Sequence, residues 1–112
     1  MMGLAQTSLE VTTTKTTSGL LAIPIADISQ YTAMPCIGCG RCVVACPMNL
    51  MPADLSQMLE SGDFESAREC NVMDCIECGC CAFECPAHRP LVQHMRQGKA
   101  WATAKMREEK GK

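Results

Sequence analysis

Apolar residues recur at helical spacing in the middle of the chain. Leu55, Met58 and Leu59 lie about one helical turn apart. They follow Pro52, and proline suits the first turn of a helix because its missing N–H would be unpaired there anyway. Gly62 comes next, and glycine is the residue most often found just beyond a helix end. The pattern therefore predicts a helix that begins at Pro52 and ends before Gly62.

Two further helices are predicted downstream. Asp63 is a good N-cap residue, because its carboxylate can accept a hydrogen bond from the first turn of a short helix over residues 64–69. A longer helix is predicted to start at Pro90, where an approximate apolar stripe begins. The stripe comprises Leu91, Val92, Met95, Ala102 and Met106. Gly98 is expected to be a weak point of this helix, since glycine has a low helix propensity.

The N-terminal third of the chain lacks this periodicity. Residues 5–18 are rich in Thr, which favours an extended conformation, either a strand or a mobile arm. Residues 20–28 are apolar but interrupted by a proline, and we expect them to lie against a neighbouring surface. The longest apolar run is far shorter than the ~20 residues that cross a bilayer, and the N-terminus does not resemble a signal peptide. We predict an extended N-terminal segment, residues 1–33, followed by a compact domain, residues 34–112.

The composition indicates that side-chain packing alone does not hold this domain together. Ten of the 112 residues are Cys, whereas aromatic residues make up only 4% of the chain. Such an excess of Cys in a short chain is typical of a disulfide scaffold, a zinc module or an iron–sulfur protein. The net charge of −2 provides no basic face for nucleic acid, so we exclude a nucleic-acid partner.

Eight of the cysteines form an internal repeat. Residues 35–47 read PCIGCGRCVVACP and residues 74–86 read DCIECGCCAFECP, at an offset of 39 residues. Each copy has the spacing C-x2-C-x2-C-x3-C-P, with ligand candidates Cys36, Cys39, Cys42 and Cys46 in the first and Cys75, Cys78, Cys81 and Cys85 in the second. This is the spacing of bacterial two-cluster ferredoxins.

The chemistry of a [4Fe–4S] cluster explains the spacing, because each of its four irons needs a thiolate. Three closely spaced cysteines can wrap one cluster, while the fourth ligates the other cluster. Cluster I is thus predicted to bind Cys36, Cys39, Cys42 and Cys85, and cluster II to bind Cys75, Cys78, Cys81 and Cys46. Gly40 and Gly79 would let the backbone approach a bulky cofactor, and Pro47 and Pro86 would stiffen the chain after the fourth ligand.

Other interpretations of the same residues stay open. Eight cysteines could instead bind two zinc ions or form disulfides, although triads at two-residue gaps suit a shared metal centre better. Cys70 and Cys80 are predicted to be inert thiols, and neither His88 nor His94 is expected to bind metal. The helices between and after the motifs favour a mainly α, two-[4Fe–4S] ferredoxin-type domain over a compact β-hairpin ferredoxin.

The residues around the repeat closely resemble one family. PCIGCGRCVVACPMNLMP and the later GDFESARECNVMDCIECGCCAFECPAHRPLVQHMRQGKA are similar to the C-terminal ferredoxin region of the C subunit of the Rnf (or Rsx) electron-transport complex. The upstream MMGLAQTSLEVTTTKTTSGLLAI also resembles this family. The resemblance implies a peripheral protein on the cytoplasmic side of the inner membrane, with other subunits of the complex as partners. That complex passes electrons between NADH and ferredoxin and couples this transfer to Na⁺ or H⁺ movement.

The resemblance also implies limits on what this chain does alone. In the family, the flavin- and NADH-binding domain precedes the region seen here, so we expect a fragment or truncated reading frame whose residues 1–33 are the remnant of an upstream domain. Such a chain should not oxidise NADH by itself. The predicted function is electron relay, with no catalytic acid, base or nucleophile. The alternatives are an iron–sulfur subunit of another respiratory or heterodisulfide-type oxidoreductase, or a structural zinc module.

Overall fold

In the computed structural model, residues 6, 8–28 and 31–111 are described, and they contain helices but no β-strand. The helices are α1 (Arg41–Val44), α2 (Pro52–Ser61), α3 (Phe64–Glu69), α4 (Cys80–Phe83) and α5 (Leu91–Lys110), with short 3₁₀ turns at Ile25–Asp27 and Val72–Asp74. This confirms the mainly α prediction, and the β-hairpin alternative is not found in the described residues. No described helix is long and apolar enough to cross a membrane.

The chain divides into two compact units, Gly3–Thr32 and Ala33–Lys112. In the first unit, the described residues have no regular secondary structure apart from short turns at 9–10 and 15–16 and a 3₁₀ turn at Ile25–Asp27, and all of them are exposed. The strand proposed for residues 5–18 is therefore wrong for the described part of that segment, while residues 5 and 7 lie outside it. The assignment of residues 1–33 and 34–112 as separate domains stays a prediction.

The middle helices begin and end where the sequence pattern predicts. Helix α2 starts at Pro52 and is closed by Gly62, whose φ of 83° lies in the left-handed region that glycine adopts without strain. Helix α3 is capped by Asp63, whose carboxylate accepts a hydrogen bond from the Ser66 N–H at 3.1 Å. The long helix α5 follows Pro90 directly.

The main core lies between α2, α3 and α5. Its buried residues are Leu50, Leu55, Leu59, Ala67, Val72 and Met95. Gly98 explains how α5 comes so close to α2: a Cβ at this position would lie 2.8 Å from Leu59 Cδ2 and 3.2 Å from Val72 Cγ2. Gly98 is therefore a packing residue in an uninterrupted helix rather than the weak point that its propensity suggests.

The charged end of α5 also has partners. Lys105 forms an ion pair with Glu65 of α3 and lies 4.8 Å from the centre of the Trp101 ring. Trp101 in turn stacks on Phe64, with 5.4 Å between the ring centroids. The part of α5 around Trp101 and Lys105 is thus held against α3, whereas Arg107–Lys110 are exposed.

Two short helices, α1 and α4, lie within the repeated motifs and contact one another. They bury Cys42 and Cys81 next to Leu91. Each follows a glycine with left-handed backbone, Gly40 at a φ of 71° and Gly79 at 83°. The glycines therefore have a backbone role at the start of each helix, in addition to the predicted room for a cofactor.

Candidate metal centres

The repeated cysteines line two separate pockets beside α1 and α4. Pocket I has a volume of about 360 Å³, including space open to solvent, and its thiols are Cys36, Cys39, Cys42 and Cys85. Pocket II has a volume of about 400 Å³ on the same measure, and its thiols are Cys46, Cys75, Cys78 and Cys81. Each pocket therefore combines three thiols of one motif with the fourth thiol of the other.

The short helices explain why the sets cross. Cys42 lies in α1 and lines pocket I, whereas Cys46, just beyond the end of α1, lines pocket II. In the second motif, Cys81 lies in α4 and lines pocket II, whereas Cys85, just beyond the end of α4, lines pocket I. One helical turn thus carries the chain from one pocket to the other.

Backbone N–H groups in the loops point at thiol sulfurs. The Gly38 N–H donates to Cys36 Sγ at 3.5 Å, and at the equivalent place in the second motif the Glu77 N–H donates to Cys75 Sγ at 3.4 Å. The Leu50 N–H donates to Cys46 Sγ at 3.4 Å. Such bonds stabilise negative charge on sulfur, and hydrogen bonds of this kind set the potential of iron–sulfur centres.

The pockets differ in their exposure to water. Cys36 and Cys39 at pocket I are exposed, whereas Cys75 and Cys78 at pocket II are half-buried. Both pockets have an apolar floor, which includes Leu91 in pocket I and Leu55 and Met95 in pocket II. Two of the thiols at pocket I are therefore more exposed to water than their equivalents at pocket II.

Burial favours the protonated form of the deepest thiols. It raises the pKa of Cys81 to about 11 and also raises the pKa of Cys42. A metal centre binds thiolates, so its positive irons must displace these protons. Among the described residues, no three Cys, His, Asp or Glu side chains are placed to hold a single metal ion. The donor set around each pocket instead has the number and type of ligands that a [4Fe–4S] cluster needs.

Arg89 provides a test of whether pocket I suits an anionic, sulfur-rich group. Its side chain is only 11% exposed and lines this pocket. Nη2 donates to Ser56 Oγ at 3.0 Å and pairs with Glu60, but the buried Nε has no hydrogen-bond partner among the described residues. A buried donor without an acceptor costs about 1–3 kcal/mol. A cluster with thiolate and sulfide acceptors is compatible with this donor, so the residues fit the group.

The structure also locates the other candidates from the sequence. Neither Cys70 nor Cys80 is among the described residues that line the two pockets. A hydrogen bond with the Cys78 thiol raises the pKa of Cys80, which lowers its reactivity. His88 is exposed, whereas His94 is largely buried and its Nδ1 lies 2.7 Å from Ser56 Oγ.

Sequence reasoning missed Arg89 and the ion pairs of Glu77 at pocket II. The available signals were weak: Arg89 lies four residues after Cys85, and Glu77 replaces the first motif's Gly38 within the second ligand loop. Both side chains gain their importance from contacts with α2 or α5, which the motif spacing does not reveal.

Comparisons with known proteins agree with this arrangement of thiols. Residues 35–88 match a family model described as a 4Fe-4S dicluster domain. The C subunit of the ion-translocating oxidoreductase complex of Rhodobacter capsulatus is 50% identical over 83% of this chain and 18% of its own length. The C subunit of the proton-translocating ferredoxin:NAD(+) oxidoreductase complex of Clostridium ljungdahlii is 44% identical over 100% of this chain and 25% of its own. The corresponding protein of Methanosarcina acetivorans, also the C subunit of an ion-translocating oxidoreductase complex, is 44% identical over 88% of this chain and 22% of its own. The chain thus spans a quarter or less of these curated relatives.

Proposed function

We propose that this chain relays electrons through two [4Fe–4S] clusters, because residues 35–88 match a family model described as a 4Fe-4S dicluster domain. The relatives also bear out the resemblance to the C subunits of ion-translocating electron-transport complexes. The observation that carries the proposal is the pair of pockets, each lined by four thiols drawn from both motifs.

The ligand assignment follows the pocket linings. Cluster I is assigned to Cys36, Cys39, Cys42 and Cys85, and cluster II to Cys75, Cys78, Cys81 and Cys46. A bound [4Fe–4S] cluster supplies reversible one-electron chemistry. The chain's own contribution is to hold the thiolates, direct N–H groups at sulfur, and keep water away from the pocket floors with apolar side chains.

The wider setting is inferred from the relatives. Their names describe ion-translocating complexes, and one names ferredoxin and NAD(+). We infer that this chain works within such an assembly at the cytoplasmic face of the membrane, exchanging electrons with other subunits. Each described pocket is built around four thiols, so we assign this chain electron relay.

Metal analysis of anaerobically purified protein tests the proposed cofactors. We expect a brown protein with about eight irons and about eight acid-labile sulfides per chain, the content of two [4Fe–4S] clusters. A colourless protein that holds zinc in place of iron would contradict the proposal.

Arg89 should raise the reduction potential of cluster I, because a positively charged donor beside a cluster favours its more negative, reduced state. Replacing Arg89 with Met removes the donor. It leaves neither of its partners buried without a contact, because Ser56 still has His94 as a hydrogen-bond partner and the Glu60 side chain is 44% exposed to water. We expect the potential of cluster I to fall by about 60 mV, which is equivalent to ~1.4 kcal/mol for one electron. A potentiometric titration followed by EPR measures this shift.

Arg68→Met is the matched control for this shift. Arg68 also forms ion pairs, with Glu65 and Glu109, but it lines neither pocket. Its variant should leave both potentials unchanged. An Arg89 variant with unchanged or higher potential would show that this side chain does not act on the cluster.

A further inference from the structure

The two ligand loops share a backbone conformation but differ in the residue that adopts it. Gly38 in the first motif has a φ of 69°, and Glu77, at the equivalent position of the second motif, has a φ of 56°. Glycine adopts this left-handed conformation freely, whereas a residue with a side chain is strained there unless its surroundings hold it. Glu77 therefore needs stabilising contacts that Gly38 does not.

Helix α5 supplies these contacts. The Glu77 carboxylate accepts hydrogen bonds from Arg96 Nε at 2.9 Å and from Lys99 Nζ at 2.8 Å. Lys99 Nζ also donates to the Cys75 carbonyl at 2.9 Å, so it binds the loop at two points.

The ion pair between Glu77 and Lys99 is partly shielded from solvent. The side chains of Glu77 and Lys99 are 27% and 25% exposed, so their ion pair is less screened by water than a fully exposed one. Glu77 itself lines pocket II, and Lys99 contacts the backbone of its ligand Cys75. At pocket I the equivalent Gly38 has no side chain with which to make an ion pair, and Cys36 and Cys39 are exposed.

We propose that Glu77, Arg96 and Lys99 form a clamp between the Cys75–Cys78 loop and α5 that retains cluster II, so that cluster I is lost first. This inference rests on the proposed two-cluster function. Loss of a cluster requires its ligand loop to open, and opening the second loop must break charge-assisted hydrogen bonds to α5. The first loop can open without breaking any equivalent contact of Gly38. Glu77 is thus a positioning residue for cluster II.

Chelation followed by thiol labelling tests this order. The full chain with both clusters is incubated anaerobically with bathophenanthroline disulfonate, and released thiols are alkylated with iodoacetamide at intervals. Mass spectrometry then compares labelling of Cys36 and Cys39 with that of Cys75 and Cys78. We expect the pocket I thiols to be labelled first.

Substitutions in the clamp should change the labelling rate only for the thiols of pocket II. Glu77→Gln should accelerate labelling of Cys75 and Cys78 about tenfold, the effect of losing a charge-assisted hydrogen bond. Glu77→Gly relieves the backbone strain but also removes the clamp, so it should accelerate the same labelling. If backbone conformation alone retained the cluster, Glu77→Gly would not accelerate it. Lys99→Gln should also accelerate labelling of Cys75 and Cys78, whereas Lys99→Arg, which keeps the positive charge, should leave this labelling as slow as in the unmodified chain.

Glu65→Gln is the matched control. Glu65 also forms an ion pair with a lysine of α5, Lys105, but it lines neither pocket. It should leave both labelling rates unchanged. Equal or reversed labelling in the unmodified chain, or equal acceleration at both sites in Glu77→Gln, would overturn the clamp. The starting iron content separates this result from the function itself: a chain without about eight irons contradicts the two-cluster proposal.

Discussion

Replacing Cys85 with Ser should remove cluster I, even though Cys85 belongs to the second motif. The reason is the crossed arrangement, in which Cys85 lines the same pocket as Cys36, Cys39 and Cys42. We expect the iron content to fall from about eight to about four per chain, because loss of a ligand from a four-thiolate site exposes that cluster to loss. Iodoacetamide should then label Cys36 and Cys39, and Cys75 should stay protected.

Cys46→Ser is the reciprocal variant and should release Cys75 and Cys78 instead. Cys70→Ser and Cys80→Ser are the controls, since neither residue is among the described residues that line a pocket, and both should keep the full iron content. Labelling of Cys75 and Cys78 in the Cys85→Ser protein would show that each motif binds its own cluster, and the crossed assignment would be wrong.

Replacing Gly98 with Val should destabilise the helical unit by about 2–3 kcal/mol, the usual effect of overpacking a core. The added Cβ would contact Leu59 and Val72 at distances that these buried side chains can relieve only by moving. For a unit of this size, we expect the apparent melting temperature to fall by about 10 °C or more. Far-UV circular dichroism of the anaerobic protein with its clusters measures this change.

The control for Gly98 lies on the exposed side of the same helix. Ala100→Val introduces the same side chain where no core packs against it, so it should cost only the difference in helix propensity, about 0.5 kcal/mol. Equal melting temperatures for the two variants would show that the close contact between α5 and α2 does not require glycine.

The sequence was sufficient to predict features that depend on local chemistry. Pro52, Gly62 and Asp63 mark helix ends through the backbone groups of their own turns, so the limits of α2 and α3 were predictable. The cysteine spacing predicted a crossed ligand set because it matches that of two-cluster ferredoxins. The four thiols of each predicted set line one pocket, while their binding of clusters stays a prediction.

Features that depend on distant contacts were not predictable. Helices α1 and α4 each have four residues, too few to show an apolar period. Gly98 has a low helix propensity in isolation, and only the nearby Leu59 and Val72 explain its place. Glu77 and Arg89 are ordinary charged residues until α5 and α2 bring partners to them. The strand considered near the N-terminus was a propensity argument, and the described residues there form no strand.

The most direct test of the central claim is low-temperature EPR of the anaerobically purified, dithionite-reduced chain. Two [4Fe–4S] clusters held in neighbouring pockets should give two spin-half signals that interact magnetically, in a sample with about eight irons per chain. A single, non-interacting signal with about four irons per chain would contradict the two-cluster claim, and an EPR-silent protein that contains zinc would contradict electron relay as well.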